Sequence, residues 1–191
     1  MITYPLNLDN LSQLSDEKFY LFCRQNPDLK LERNSNGEII IMSPTGGETG
    51  NCNAEILIEF GLWNRQYQLG KLFDSSTCFK LPNGANRSPD IAWIKQDRWN
   101  TLTPEQKEKF PPITPDFVLE LLSPSDSLAT TQIKMQEYQN NGVKLGWLIN
   151  RKTKQVQIYR QGQNTETLTF PKILLGETIL PKFILNLSLI W

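Results

Sequence analysis

The chain of 191 residues contains no histidine. Without imidazole it cannot build a Ser-His-Asp or Cys-His catalytic centre, or a zinc or iron site that relies on histidine ligands. Cysteine is scarce too. Cys23, Cys52 and Cys78 are odd in number, far apart and without a C-x-x-C pair, so they read as reduced core thiols rather than a disulfide framework or zinc knuckle. Charge of one sign is also missing: Lys plus Arg and Asp plus Glu each number 20, for a formal net charge of 0. No whole-molecule field draws such a chain to polyanions, and a nucleic-acid role needs a local basic cleft. No apolar run approaches the roughly 18 residues of a membrane span. Pro5, Asn7 and Asp9 interrupt the N-terminal stretch before it reaches signal-peptide length, so a soluble cytoplasmic protein is expected.

What is present is enough for a core. Hydrophobic residues make up 39% of the chain and include 9 Phe, 5 Tyr and 5 Trp, which suffices to offset ordering entropy over one domain spanning 1–191. The side chains left for catalysis are carboxylates, lysines and hydroxyls, with hard metals held through oxygen.

Ser15-Asp16-Glu17 ahead of Phe19, Tyr20, Phe22 and Cys23 predicts a short helix from about Asp16 that ends before Asn26-Pro27. Leu29 to Glu32 alternates apolar with polar, Asn36-Gly37 turns, and Glu38 to Met42 returns, which predicts a β-hairpin. Ser43 to Gly50 reads as a loop, and Ile56, Phe60, Trp63 and Tyr67 recur at helical spacing, predicting a helix over Asn51–Gln68. Lys71–Phe73, Thr77–Leu81 and Pro89–Ile94 read as strands, and Thr103-Pro104-Glu105-Gln106 as the capped start of a small helix. Asp116 to Leu122 is almost continuously apolar, the pattern of a central strand covered on both faces. A helix carrying Lys134, Glu137 and Tyr138 follows the caps at Ser123 to Ser127 and runs to Asn141-Gly142; Leu145–Asn150 and Gln155–Tyr159 then form a strand pair. The tail after Gly162 holds short strand-like pieces that either complete the sheet or form a dimer contact.

Glu120 is the one carboxylate inside the central apolar run. Buried and ionised it costs several kcal/mol unless a cation compensates it. It either meets a solvated edge or an internal arginine, or it serves a metal or catalytic role. Asp90 follows Pro89; if its strand lies antiparallel to that of Glu120, the carboxylates stand about 5 Å apart across the strands, and two such oxygens can hold magnesium. Glu55 adjoins the apolar stripe of its helix and Lys134 begins about two turns into the helix after the Glu120 strand, placed to reach back over the strand end. Read singly, each is more simply a solvated helix charge. Lys80, Arg87, Lys95, Arg98, Lys144 and Arg151 are cations available to a DNA groove, but they are spread along the chain.

The order Pro89-Asp90, Glu120 in a central strand, then a helical lysine resembles the PD-(D/E)XK nuclease superfamily. Ser43-Pro44-Thr45-Gly46-Gly47, Leu81-Pro82-Asn83-Gly84, Arg87-Ser88-Pro89-Asp90, Pro115 to Glu120 with Ser123-Pro124-Ser125-Asp126, and Lys134 to Tyr138 with Gly142-Val143 and Trp147-Leu148-Ile149 are similar, more closely, to the Uma-two family of restriction-endonuclease-like proteins. The resemblance covers about Leu29 to Tyr159. It implies an α/β fold of α+β type, with a mixed central sheet flanked by helices, an N-terminal β-hairpin and a β-rich C-terminal tail. It further implies a Mg2+-dependent endonuclease (Mn2+ substituting) acting on DNA as a homodimer. Asp90 and Glu120 would be the metal ligands, Glu55 an extra carboxylate, and Lys134 would take the part of the lysine that the superfamily pattern places two residues after Glu120, where this chain has Leu122. The histidine that members often carry near Thr49 to Asn51 is absent. The competing expectation is a catalytically inactive nuclease-fold protein that binds nucleic acid or a protein partner.

Overall fold

The computed structural model describes residues 14–191. The N-terminal stretch bearing on a signal peptide lies mostly outside them. The first helix, α1 (Asp16–Gln25), starts where the Ser15 hydroxyl accepts from the Lys18 N–H, and it buries Phe19. β1 (Lys30–Arg33) and β2 (Ile39–Met42) form the expected hairpin. The long helix α2 (Gly47–Tyr67) begins four residues earlier than the periodicity predicts. Gly47 and Gly50 read as part of a loop, yet Thr49 and Cys52 are buried on the same stripe as Ile56, and that packing outweighs the low helix propensity of glycine.

β3 (Gly70–Asp74), β4 (Phe79–Lys80), β5 (Asn86–Arg87) and β6 (Ile91–Lys95) follow. The strand expected over Thr77–Leu81 shrinks to β4, and β6 opens at Ile91, leaving Asp90 in the bend just before it. β5, at two residues, is too short to carry a periodic signal and is fixed by pairing with β1 and β4. The connector holds α3 (Gln96–Asn100), which no side-chain cap announces, and α4 (Pro104–Glu108) with its Thr103–Gln106 capping box. Then come β7 (Phe117–Leu121), α5 (Leu128–Asn140), β8 (Leu145–Asn150), β9 (Gln155–Arg160), β10 (Glu166–Thr169), β11 (Ile173–Leu175) and β12 (Ile184–Asn186).

The central sheet runs β10-β9-β8-β7-β6-β3, with β7 and β8 parallel and the other neighbours antiparallel. All five residues of β7 are buried, as a central strand requires. One face, carrying Phe117, Leu119, Leu121 and Trp147, packs against Ile56, Phe60 and Trp63 of α2 and against Leu174, Phe183 and Leu185 of the tail. The other, carrying Ala92, Val118, Leu122 and Leu148, packs against Met135 and Tyr138 of α5 and against Phe79 and Leu81, beside the small sheet β2-β1-β5-β4. The tail thus closes a core face through the β11–β12 pair. Gly146 lets α5 approach closely, because a Cβ there would stand 2.7 Å from Met135 Cε.

Candidate active site

Strand alternation decides the site. Glu120 shares its face of β7 with Val118 and Leu122, so it points toward α5. There Lys134 Nζ lies 2.8 Å from Glu120 Oε1, and the Tyr138 hydroxyl, one turn further along, donates to the same oxygen at 3.1 Å. Ile91 pairs with Leu119, a register that brings Asp90 opposite Glu120 at the end of β6. Asp90 Oδ2 accepts the Leu121 N–H at 2.8 Å, which pins its carboxylate over the strand. Asp90, Glu120 and Lys134 therefore come together.

Glu55 does not join them. α2 packs on the opposite face of the sheet, and among the described residues no ion pair or side-chain hydrogen bond links Glu55 to the cluster. Its helix was the right element to suspect only if α2 lay on the α5 side, and the sequence contains nothing that fixes the layer.

The cluster extends to Glu32, which no pattern in the sequence marks as functional, and to Arg87, expected at a DNA groove. Glu32, on the polar side of the β1 alternation, is only 1% exposed. Its Oε1 lies 2.8 Å from Lys134 Nζ and accepts the Ser88 N–H, while Oε2 meets Arg87 at 3.1 Å. Arg87 Nε in turn donates to Glu137 Oε2 at 2.5 Å. Arg87 is thus not a groove cation but the buried link between β1 and α5. The signal for Glu32 was weak: a single charged residue in a four-residue strand looks solvated until the small sheet folds against α5.

Burial pushes the Glu120 carboxyl up to about 7, with Asp90 and Glu32 adding to the rise and Lys134 opposing it. Burial raises Asp90 as well, against the pull of the Leu121 N–H and Lys134. Burial would also raise Glu32, but the Lys134 and Arg87 charges reverse this and hold it below the usual carboxylate range. The same burial opposes the Lys134 charge, and Glu120 and Glu32 outweigh it, keeping Lys134 protonated.

Among the described residues Glu32, Glu120 and Glu137 contact only two cations, Arg87 and Lys134, and Asp90 contacts neither. The excess of negative charge lies at Asp90 and Glu120, each of which keeps one carboxylate oxygen, Asp90 Oδ1 and Glu120 Oε2, with no hydrogen-bond donor among the described residues. Among the described residues no three of His, Cys, Asp and Glu converge as a metal cluster. Two hard oxygen donors with surplus negative charge nevertheless fit Mg2+ or Mn2+, which are held through one or two carboxylates while retaining several waters.

The other cations expected at a groove are mostly engaged: Lys80 with Asp16, Lys95 with Asp97, and Arg98 and Lys144 with the buried Asp116. Arg151 meets the exposed Glu48 at 3.7 Å, a contact about as long as that of Lys95 with Asp97 at 3.6 Å.

Comparison with known proteins bears on the family and the fold. The family model Uma2, described as "Putative restriction endonuclease", matches residues 16–188. The chain belongs to the Uma2 family. Among solved structures, "a putative nuclease belonging to DUF820" from Anabaena variabilis superposes with a TM-score of 0.71 at 20% identity, covering 84% of this chain and 88% of that one. At that identity the likeness shows the shared fold. No curated protein matches the chain. Among the described residues no helix is long and apolar enough to cross a membrane.

Proposed function

We propose that this Uma2 protein is a divalent-metal-dependent endonuclease that hydrolyses DNA phosphodiester bonds, acting as a single restriction-endonuclease-like domain over 1–191. The observation that carries the reading is the convergence of Asp90, Glu120 and Lys134 at the end of the central strand. Asp90 and Glu120 would hold Mg2+ or Mn2+ through their free oxygens. The cation supplies charge neutralisation at the phosphoryl oxygens and makes water easier to deprotonate. Lys134 orients the attacking water and balances charge developing on the phosphate. The water oxygen bonds to phosphorus as the water gives a proton to solvent, the ester P–O bond breaks, and the leaving alkoxide takes up a proton from solvent. Tyr138 fixes the Glu120 carboxylate, and Glu32 fixes Lys134.

Two cuts in a duplex are simplest from a two-fold pair of chains, and the exposed Ile58 and Leu62 on α2, beside the edge strand β3, support a homodimer. Molar mass by light scattering tests that. Free thiols at Cys23, Cys52 and Cys78 suit a reducing compartment and support a cytoplasmic location.

One observation favours a second reading, an inactive nuclease-fold protein that binds a partner. The Lys134 ammonium is spanned by two carboxylates, so the network is self-satisfying without a substrate. Calorimetric titration of Mn2+ into the wild type and Asp90→Asn separates the two. A site of one ion per chain that is lost in the variant supports the nuclease; no binding by either protein supports the inactive reading.

A further inference from the structure

β7 and β8 are parallel neighbours, with Leu121 beside Ile149, so their C-terminal ends open on the same edge of the sheet. Past the end of β7 runs Leu122-Ser123-Pro124; past the end of β8, Asn150 pairs with Gln155 and the four residues between them, Arg151-Lys152-Thr153-Lys154, form the hairpin turn. Three of those four are cations. A cleft of about 420 Å³ lies between the two ends, lined by Glu48, Leu122, Asp126, Arg151 and Lys152 among others. The cleft starts two residues after Glu120, at the carboxyl ends of a parallel strand pair.

The cations there are arranged to receive an anion. Arg151 Nε donates to the Ile190 carbonyl at 3.2 Å, which fixes the guanidinium in place, and its side chain is only 24% exposed. Its sole carboxylate contact among the described residues is Glu48, at 3.7 Å, and the Glu48 side chain is 91% exposed. Lys152 is exposed and makes no ion pair among the described residues. The other acid of the cleft, Asp126, is held on its own turn, accepting the Ser123 N–H at 2.8 Å. A fixed guanidinium with a loosely held, solvent-exposed counter-ion exchanges that ion readily for a phosphate, which it can grip by two parallel hydrogen bonds.

We propose that Arg151 and Lys152 form a backbone-phosphate subsite for double-stranded DNA at the C-terminal ends of β7 and β8, and that Glu48 occupies it until DNA arrives. This rests on the nuclease reading for its substrate, and it adds residues that reading does not use. Lys154, on the same turn, extends the contact toward β9. A molecule with zero net charge would thereby bind a polyanion through one local basic tip.

The test is fluorescence anisotropy of a short labelled DNA duplex, in EDTA and again in Ca2+, with wild type, Arg151→Gln, Lys152→Ala and Glu48→Gln. Arg151→Gln and Lys152→Ala are expected to weaken binding about tenfold and to flatten its dependence on salt by roughly one phosphate contact each. Glu48→Gln is expected to tighten it several-fold, a gain that a merely structural role for the Glu48–Arg151 pair would not produce. Lys152 is exposed, so its variant reports on binding even if Arg151→Gln impairs folding. Unchanged affinity in Lys152→Ala and Glu48→Gln, or no duplex binding by the wild type in either buffer, overturns the subsite. Tighter binding of an RNA duplex than of DNA overturns the assignment to DNA. Mn2+ calorimetry on the same variants keeps the outcomes apart: intact metal binding with no effect on DNA rejects this subsite alone, whereas absent metal binding in the wild type rejects the nuclease reading.

Discussion

Lys134 Nζ lies 2.8 Å from Glu120 Oε1, although one residue sits on the second turn of α5 and the other inside β7. Glu32, on β1, holds the same ammonium from the other side at 2.8 Å. Three elements from separate parts of the chain thus share one buried positive charge.

Removing that charge strands two buried carboxylates. Lys134→Met is expected to lower stability by about 3 kcal/mol, as breaking a buried pair does. Lys134→Arg should retain most of it. Urea unfolding at neutral pH reads both. If the nuclease assignment holds, Lys134→Met also abolishes cleavage of plasmid DNA while Mn2+ still binds.

Glu32 acts on the site through Lys134 and is a positioning residue. Glu32→Gln keeps an acceptor for the Ser88 N–H but leaves Arg87 and Lys134 less compensated, and a loss of roughly 2 kcal/mol is expected. Cleavage should fall through kcat with little change in KM, because the ammonium loses its orientation while the DNA contacts remain. An equal loss in both constants would reject the positioning role.

Asp90→Asn preserves a carbonyl oxygen to accept the Leu121 N–H and removes one of two facing carboxylates. The variant should be more stable than wild type by about 1 kcal/mol at mildly alkaline pH, since the repulsion that helps raise Glu120 is gone. Loss of the metal site together with gain of stability is the pattern expected of a functional charge. A destabilised variant would instead mark Asp90 as structural.

The raised Glu120 carboxyl fixes the sign of a pH effect. Its folded-state value is about 7 against an ordinary 4.5, so the unfolded chain releases its proton first. The stability from this group is fully present below 4.5 and is lost as pH rises through about 7. Glu32 works the other way: its carboxyl is lowered, so its contribution is present above the ordinary value and lost as acid protonates it. Glu120→Gln should flatten the stability profile on the neutral side only, as thermal melts across that range would reveal. Mn2+ affinity in the wild type should rise with pH through about 7, because the ion competes with the Glu120 proton.

Gly146→Ala probes how α5 is seated. The added Cβ meets Met135 Cε at 2.7 Å and Val118 Cγ2 at 3.4 Å. The flexible end of Met135 can move, so a cost of about 1 kcal/mol is expected in urea unfolding. A shift in Met135 also displaces its neighbour Lys134, and weaker cleavage should accompany the loss.

The sequence by itself determined the local elements and the chemistry open to the protein. The absence of histidine left carboxylates and lysines as the catalytic groups. The apolar run around Glu120 marked a central strand because a strand buried on both faces has no polar side to show, and β7 is such a strand. The caps at Ser15, Thr103 and Ser127 and the hairpin turn at Asn36-Gly37 are short-range signals, and the helices and hairpin they announce are present. Asp90 and Glu120 were legible as a pair only on the condition that their strands lie antiparallel, and the Ile91–Leu119 register, set across the connector that holds α3 and α4, meets it. Only the tertiary structure decided which face of the sheet each helix covers, and that choice put Lys134 in the cluster and Glu55 outside it. It also decided Glu32 and Arg87, whose strands are four and two residues long and carry no pattern of their own. Their burial depends on the small sheet docking against α5, a contact between segments about 50 residues or more apart, and no local preference in the chain encodes it.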